Sequence, residues 1–166
     1  MEKHTSAIST SEIARISIVA ALYVVVTLLI APFGFGPIQF RLSESLNFLA
    51  FYHKRYVWAV TLGCIIANFM SPTWMLDVPL GSLATLISLL LSRKLAQNIQ
   101  EEWKKYLVMM IIFSISMLVV AFQLYILEGL PFIETFVTSA ISEFLTMTVG
   151  AVIISQLNRV LHFETL

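Results

Sequence analysis

Charge is what this chain has least of. Asp, Glu, Lys and Arg make up 12% of its 166 residues, against 58% for the apolar types. Soluble domains carry about 25% charged residues, so this surface could not be covered against water. Its mean hydropathy of +0.88 points to a bilayer as solvent. Cysteine is nearly absent. The lone Cys64 excludes an internal disulfide and a metal site built from several thiolates. Catalytic signatures are missing too: there is no HExxH, no GxSxG, no Walker A glycine loop and no paired metal-ligand spacing. The three histidines, His4, His53 and His162, all fall near helix ends on one side of the predicted topology. An enzyme, or an ATPase acting alone, is disfavoured, and no cofactor is expected. The formal net charge of zero offers nothing to nucleic acid. The polar stretch Met1 to Ser11 lacks the hydrophobic core and cleavage site of a removed signal peptide.

What is present is a series of apolar runs divided by charge, proline and glycine. No charge occurs between Arg15 and Arg41, and the run Ile16 to Ala31 ends at Pro32 in a stretch with two prolines and two glycines. A shorter run from Leu42 to Tyr52 stops at His53-Lys54-Arg55. Further runs cover Tyr56 to Met70, Pro79 to Arg93, Tyr106 to Leu127 and Glu134 to Arg159. The expected fold is an all-α integral membrane protein, a six-helix bundle over residues 1–166, with the second and fourth helices too short to span comfortably. No repeat or interdomain linker divides it.

Six segments put both termini on one side. That side holds Lys3, Arg15, Lys54, Arg55, Arg93, Lys94, Lys104, Lys105 and Arg159, nine of the ten basic residues. Positive residues stay inside, so both termini are expected to be cytoplasmic and the protein to lie in the cell membrane. The outer connections hold Arg41 with Glu44, Asp77, Glu128 and Glu134, and most of the proline and glycine. Irregular backbone near membrane depth persists only where protein buries it or a wet cavity adjoins it. A ligand site is therefore expected in the outer half, with loops one and three on that face.

Six outer-half residues and two intramembrane amides are candidates to bind substrate there. Glu143 lies inside the last apolar run, with Ser139 and Thr146 on the same helical face. A carboxylate at that depth costs several kcal/mol without a partner or a wet cavity, so it either binds something or bonds a neighbouring helix. Gln39, Arg41 and Glu44 crowd the turn into the second segment. Arg41 and Glu44 are spaced for an exposed ion pair worth about 0–1 kcal/mol, or for a fixed template with spare lone pairs. Asp77 is either a helix-starting acid or an acceptor for ligand N–H groups. Trp74 is either an interfacial aromatic or a stacking face. Asn68 and Gln123 are either helix-to-helix hydrogen bonds or readers of a ligand edge. Ser17 and Ala21, with Ala20 beside them, form a small-xxx-small pattern suited to close helix approach, within the bundle or against a partner subunit. Gly63 and Ala67 repeat the pattern.

The blocks Ala20-Ala21-Leu22-Tyr23-Val24-Val25-Val26-Thr27, Phe35-Gly36-Pro37-Ile38-Gln39-Phe40-Arg41-Leu42-Ser43-Glu44, Leu62-Gly63-Cys64-Ile65-Ile66-Ala67-Asn68, and Asp77 with Gly81-Ser82-Leu83-Ala84-Thr85 resemble the QueT-type queuosine-precursor transporter family. These are substrate-binding S components of energy-coupling factor transporters. The resemblance runs from about Glu12 to Asn158, and the first-loop block is its most specific part. It implies assembly with a transmembrane coupling subunit and two cytoplasmic ATPases. It implies a deazapurine substrate of the 7-deazaguanine type, such as 7-aminomethyl-7-deazaguanine or queuine. It implies a partner contact on the first helix, here nearest to Ser17 and Ala21. The residues alone leave two other readings open: a stand-alone channel or proton-coupled carrier using Glu143, and a structural membrane protein that binds nothing.

Overall fold

The structure is a computed structural model describing residues 9–35 and 39–164. Lys3, His4 and the Gly36-Pro37-Ile38 part of the first loop lie outside the described residues. The described residues form seven α-helical segments: α1 Thr10–Leu29, α2 Ala31–Gly34, α3 Arg55–Asn68, α4 Trp74–Leu76, α5 Ser82–Ala96, α6 Glu102–Glu128 and α7 Phe132–Leu161. A 3-10 helix, Leu42–Phe51, lies between α2 and α3, and a π-helical turn, Asp77–Gly81, joins α4 to α5. There is no strand among the described residues.

Local chemistry explains the ends. Ser9 caps α1 by accepting from the Glu12 N–H at 3.2 Å. At the far end of α6, Gly129 takes φ 69°, and its N–H returns to the Tyr125 carbonyl at 3.2 Å. Pro131 follows and prevents continuation. The Pro79 expected to start a helix sits instead inside the π turn, which tolerates a missing N–H donor. The helical run therefore begins earlier and extends Trp74–Ala96. At 23 residues it is long enough to cross a bilayer, as are α1, α6 and α7. The expected fourth segment is thus not short. The short ones are the 3-10 helix, of 10 residues, and α3, of 14.

The interior is more polar than the exterior. On α7 the buried positions are Thr135, Ser139, Ser142, Glu143, Thr146, Met147, Gly150 and Ile154, three or four apart along one face. The opposite face exposes Ile133, Val137, Ile141, Leu145, Val149 and Val152. A water-soluble helix shows the reverse pattern. This helix has apolar solvent around it.

α1 packs along α3, α5 along α6, and α6 along α7. The 3-10 helix is enclosed by this shell, touching α1, α3, α5, α6 and α7, and every residue from Ser43 to Ala50 is buried. Two glycines permit the closest approaches. A Cβ on Gly63 would lie 2.7 Å from the Tyr23 Cβ and 2.9 Å from the Ala20 carbonyl, so α3 lies directly against α1. A Cβ on Gly150 would lie 2.3 Å from Ser45 Oγ, so α7 meets the 3-10 helix without a side chain between. Cys64 is buried between α3 and α5, 3.5 Å from Thr85 Oγ1.

One end of the bundle is tied by polar side chains. The Glu102 carboxylate accepts from the Tyr52 and Tyr106 hydroxyls and lies near Ser155 and Asn158 of α7. Arg93 donates to the Ala50 carbonyl. Phe48, fully buried, sits against Tyr106 with ring centroids 4.4 Å apart. The ends of α1, α3, α5, α6 and α7 that carry Arg15, Arg55, Arg93, Lys104 and Arg159 share this basic end. The other end carries the first loop, the Phe69 to Thr73 loop and the α6–α7 turn.

Candidate functional site

At the loop end the polar groups converge into two linked clusters. The first is built on α1, the 3-10 helix and α7. Tyr23 and Thr27 are one turn apart on α1 and buried. Tyr23 donates its hydroxyl to Glu44 Oε1 at 2.8 Å. Thr27 Oγ1 donates to the Tyr23 carbonyl at 2.8 Å and is hydrogen-bonded to Ser43 Oγ at 2.7 Å. Three residues per 3-10 turn stack Glu44 over Asn47, and Asn47 Nδ2 donates to Glu44 Oε2. Both Glu44 oxygens are thus occupied by the protein's own donors, and only 4% of the residue is exposed.

Arg41 precedes the 3-10 helix in extended conformation and is half-buried. Its Nε donates to the Gly34 carbonyl at 2.8 Å, and its guanidinium lies over the Phe35 ring at 5.2 Å. The surface Arg41–Glu44 ion pair that the spacing allows does not form among the described residues. Glu44 faces inward to Tyr23 and Asn47, while Arg41 reaches back to the first loop. Gln39, buried at 5%, adopts φ 53°, a left-handed backbone that costs a non-glycine residue on the order of 1–3 kcal/mol. Strain of this size persists only where the surroundings hold it.

Glu143 completes this cluster from α7, roughly 17 Å along the helix from its first turn at 1.5 Å per residue. It is 1% exposed, and its Oε1 is buried with no hydrogen-bond partner among the described residues. Its charged neighbours are Glu44 and Arg41. The hydroxyls that share its face do not serve it. Ser139 donates to the Thr135 carbonyl at 2.7 Å, and Thr146 to the Ser142 carbonyl at 2.8 Å. The helix-to-helix bond that the sequence left open for Glu143 is not made among the described residues. An unpartnered carboxylate oxygen inside a membrane protein is expensive to keep, and a ligand group there would relieve it.

The second cluster joins α3, the π turn and α6. Asp77 Oδ1 accepts from Gln123 Nε2 at 2.6 Å. Its Oδ2 accepts from Thr73 Oγ1 at 2.6 Å and from Ser71 Oγ. Asn68, 1% exposed, donates from Nδ2 to the Asp77 carbonyl at 2.9 Å. Asn68 and Gln123 thus make the helix-to-helix bonds that their positions allowed, and Asp77 is the knot that both hold. Trp74 is 47% exposed and packs on Phe69 with centroids 6.0 Å apart. The two clusters adjoin, because Asp77 and Glu44 both lie within electrostatic reach of Arg41.

Of the residues expected to contact a partner, Ser17 and Ala21 are exposed on α1, whereas Ala20 is buried at 3% against α3. Ala20 serves the bundle's own packing. Sequence reasoning passed over Tyr23, Thr27, Ser43 and Asn47 as site residues. The signal was available: Tyr23 and Thr27 sit four apart, and Ser43, Glu44 and Asn47 form a polar knot within an apolar run.

The weight of this network is measurable at Tyr23. Tyr23→Phe keeps the ring and removes one donor to a buried carboxylate, a bond worth about 1.5–3 kcal/mol. The expected result is a lower thermal unfolding midpoint in detergent with unchanged helix content by circular dichroism. An unchanged midpoint would mean that water replaces the phenol.

A chain with four long apolar spans and its polar groups turned inward is a multi-pass membrane protein. The QueT transporter family model matches residues 13–159. The queuosine precursor transporter QueT of Lactococcus lactis subsp. cremoris (strain MG1363) is 42% identical over 159 residues, covering 90% of this chain and 94% of that protein. No solved structure matches the chain. The chain belongs to the QueT transporter family, and it is a transporter protein rather than an enzyme.

Proposed function

We propose that this protein takes up a queuosine precursor, a base of the 7-deazaguanine type such as 7-aminomethyl-7-deazaguanine or queuine. In this reading residues 1–166 form one substrate-binding unit, with Leu42–Phe51 and α3 completing a six-helix bundle. Both termini are cytoplasmic, and the first and third loops face outward. The chain acts as the S component of an energy-coupling factor transporter, with a transmembrane coupling subunit and two cytoplasmic ATPases supplying the energy. The exposed Ser17 and Ala21 offer α1 a close docking surface for the coupling subunit.

The observation that carries the reading is the unpartnered, buried Glu143 oxygen facing Arg41 and Glu44 at the loop end. A planar, polar-edged base suits the surroundings. Arg41 uses Nε on Gly34 and keeps its terminal N–H groups for a ring carbonyl. Gln39 and Glu143 stand beside it, and Trp74 and Phe40 are exposed enough to cover a ring. Asp77, Asn68 and Gln123 tie the third loop to α3 and α6. The relative's name, a queuosine precursor transporter, agrees with this substrate class.

Calorimetric titration of the purified protein with 7-aminomethyl-7-deazaguanine is expected to show saturable binding at micromolar ligand or below. Absence of binding there, with thiamine or riboflavin binding instead, overturns the substrate. ATP-independent, pH-driven uptake by the protein alone in vesicles overturns the energy-coupling assignment in favour of a stand-alone carrier.

A further inference from the structure

We propose that Glu143 is the counter-ion for a protonated amine on the ligand, so that the protein selects a cationic deazapurine over a neutral one. This assignment rests on the reading that a deazaguanine binds here, and it concerns which part of that ligand Glu143 meets.

The argument is a balance of charge and of hydrogen bonds. The buried cluster holds two carboxylates, Glu44 and Glu143, and one guanidinium, Arg41. Glu44 already has two donors, Tyr23 and Asn47, and lies within electrostatic reach of Arg41. Asp77, the third acid near Arg41, is bonded to Gln123, Thr73 and Ser71. Glu143 alone has neither a donor nor an ion pair among the described residues, and its Oε1 is sealed from solvent. One guanidinium cannot balance three acids. Glu44 and Asp77 at least have donors of their own, whereas an ionised Glu143 has none among the described residues, so the missing positive charge is felt most at Glu143.

Two kinds of ligand group can meet a carboxylate. The N–H groups of a guanine edge donate hydrogen bonds but bring no charge. An ammonium brings donors and the missing charge together. Charge-assisted pairs are roughly twice as strong as neutral ones, and an uncompensated ion in the bilayer interior is the costliest state available. The ammonium therefore gains most from being placed at Glu143. The guanine edge, common to charged and neutral precursors, is left to Arg41, Gln39 and the third-loop groups.

The test compares two ligands that share the guanine edge and differ in the 7-substituent. One is 7-aminomethyl-7-deazaguanine, cationic at neutral pH. The other is 7-cyano-7-deazaguanine, which is neutral. The intact protein is expected to bind the aminomethyl base about tenfold or more tightly than the nitrile. Glu143→Gln, close in shape, is expected to weaken aminomethyl binding by about tenfold or more and nitrile binding by less than about threefold. Glu143→Asp keeps the charge and is expected to keep the preference. Equal losses for both ligands would overturn the proposal and assign Glu143 to the shared edge or to the fold. No loss for either would also overturn it. If the unsubstituted protein binds neither base, the function reading itself falls, and this assignment with it.

Discussion

Glu44→Ala is expected to abolish measurable ligand binding, with affinity reduced by about a hundredfold or more, and to lower the unfolding midpoint sharply. Three partners depend on that carboxylate. Tyr23 and Asn47 lose their acceptor at once, both inside the bundle. Arg41 loses one of the acids that balance its charge. Removing one member of a buried charged set costs about 3–5 kcal/mol, because the remaining charge stays desolvated. A hundredfold loss of affinity corresponds to about 2.7 kcal/mol, so even part of that cost, if it falls on the binding-competent form, removes binding. Glu44→Gln is the informative companion. It keeps the shape and one acceptor for Tyr23 but not the charge. It is expected to retain a higher midpoint than Glu44→Ala while still binding poorly. Equal midpoints for the two variants would show that shape and the Tyr23 bond contribute nothing, and would place the whole effect on charge. Thermal unfolding in detergent and calorimetry give both readouts.

Gly150→Leu is expected to yield no folded, monodisperse protein, and Gly150→Ala to be severely destabilised. A Cβ at this position would stand 2.3 Å from Ser45 Oγ, 2.5 Å from Ser45 Cβ and 2.8 Å from Ser45 Cα. The last atom is backbone, so no rotamer change relieves the contact. Either α7 or the 3-10 helix must move. Overpacking of a core costs about 1–3 kcal/mol where side chains can adjust, and here they cannot. The displacement also reaches the site, because Ser45 adjoins Glu44 and moving one moves the other's bond to Tyr23. Ser45→Gly combined with Gly150→Ala is expected to recover part of the stability, since Oγ and Cβ go but Cα stays. A fully wild-type midpoint for Gly150→Ala alone would show that the helices are not this close. Gly63 faces a similar constraint against Tyr23 and Ala20, so the α1–α3 contact is equally intolerant.

Much of this architecture could be read along the chain. Charge and proline bracket each apolar run, and a bilayer leaves helix as the only way for such a run to satisfy its backbone. The described residues are helical along the apolar runs and contain no strand. What could not be read is the kind of helix. Leu42–Phe51 winds as a 3-10 helix enclosed by five helices, a tertiary setting that no local pattern reports. Pro79 read as a helix start, since proline favours the first turn. The π turn around it instead lets the helix run on from Trp74, and makes the fourth segment long enough to span. Within the site, the acids and amides stood out because polar groups in apolar runs are costly. Tyr23 and Thr27 did not, since both are common lipid-facing or interfacial residues. Their role appears only when α1 is laid against the 3-10 helix. Ala20 shows the opposite failure: small-residue spacing signals close approach without saying whether the neighbour is α3 or another subunit.

Cys64, the chain's one cysteine, has a practical consequence. It is buried at 1% exposure between Asn68, Ser82 and Thr85, out of reach of a thiol reagent in the folded protein. The natural sequence is thus already silent background for single-cysteine accessibility mapping. New thiols can be placed at the loops on either end, and the sidedness of the bundle read in intact cells, without first disturbing the contact between α3 and α5.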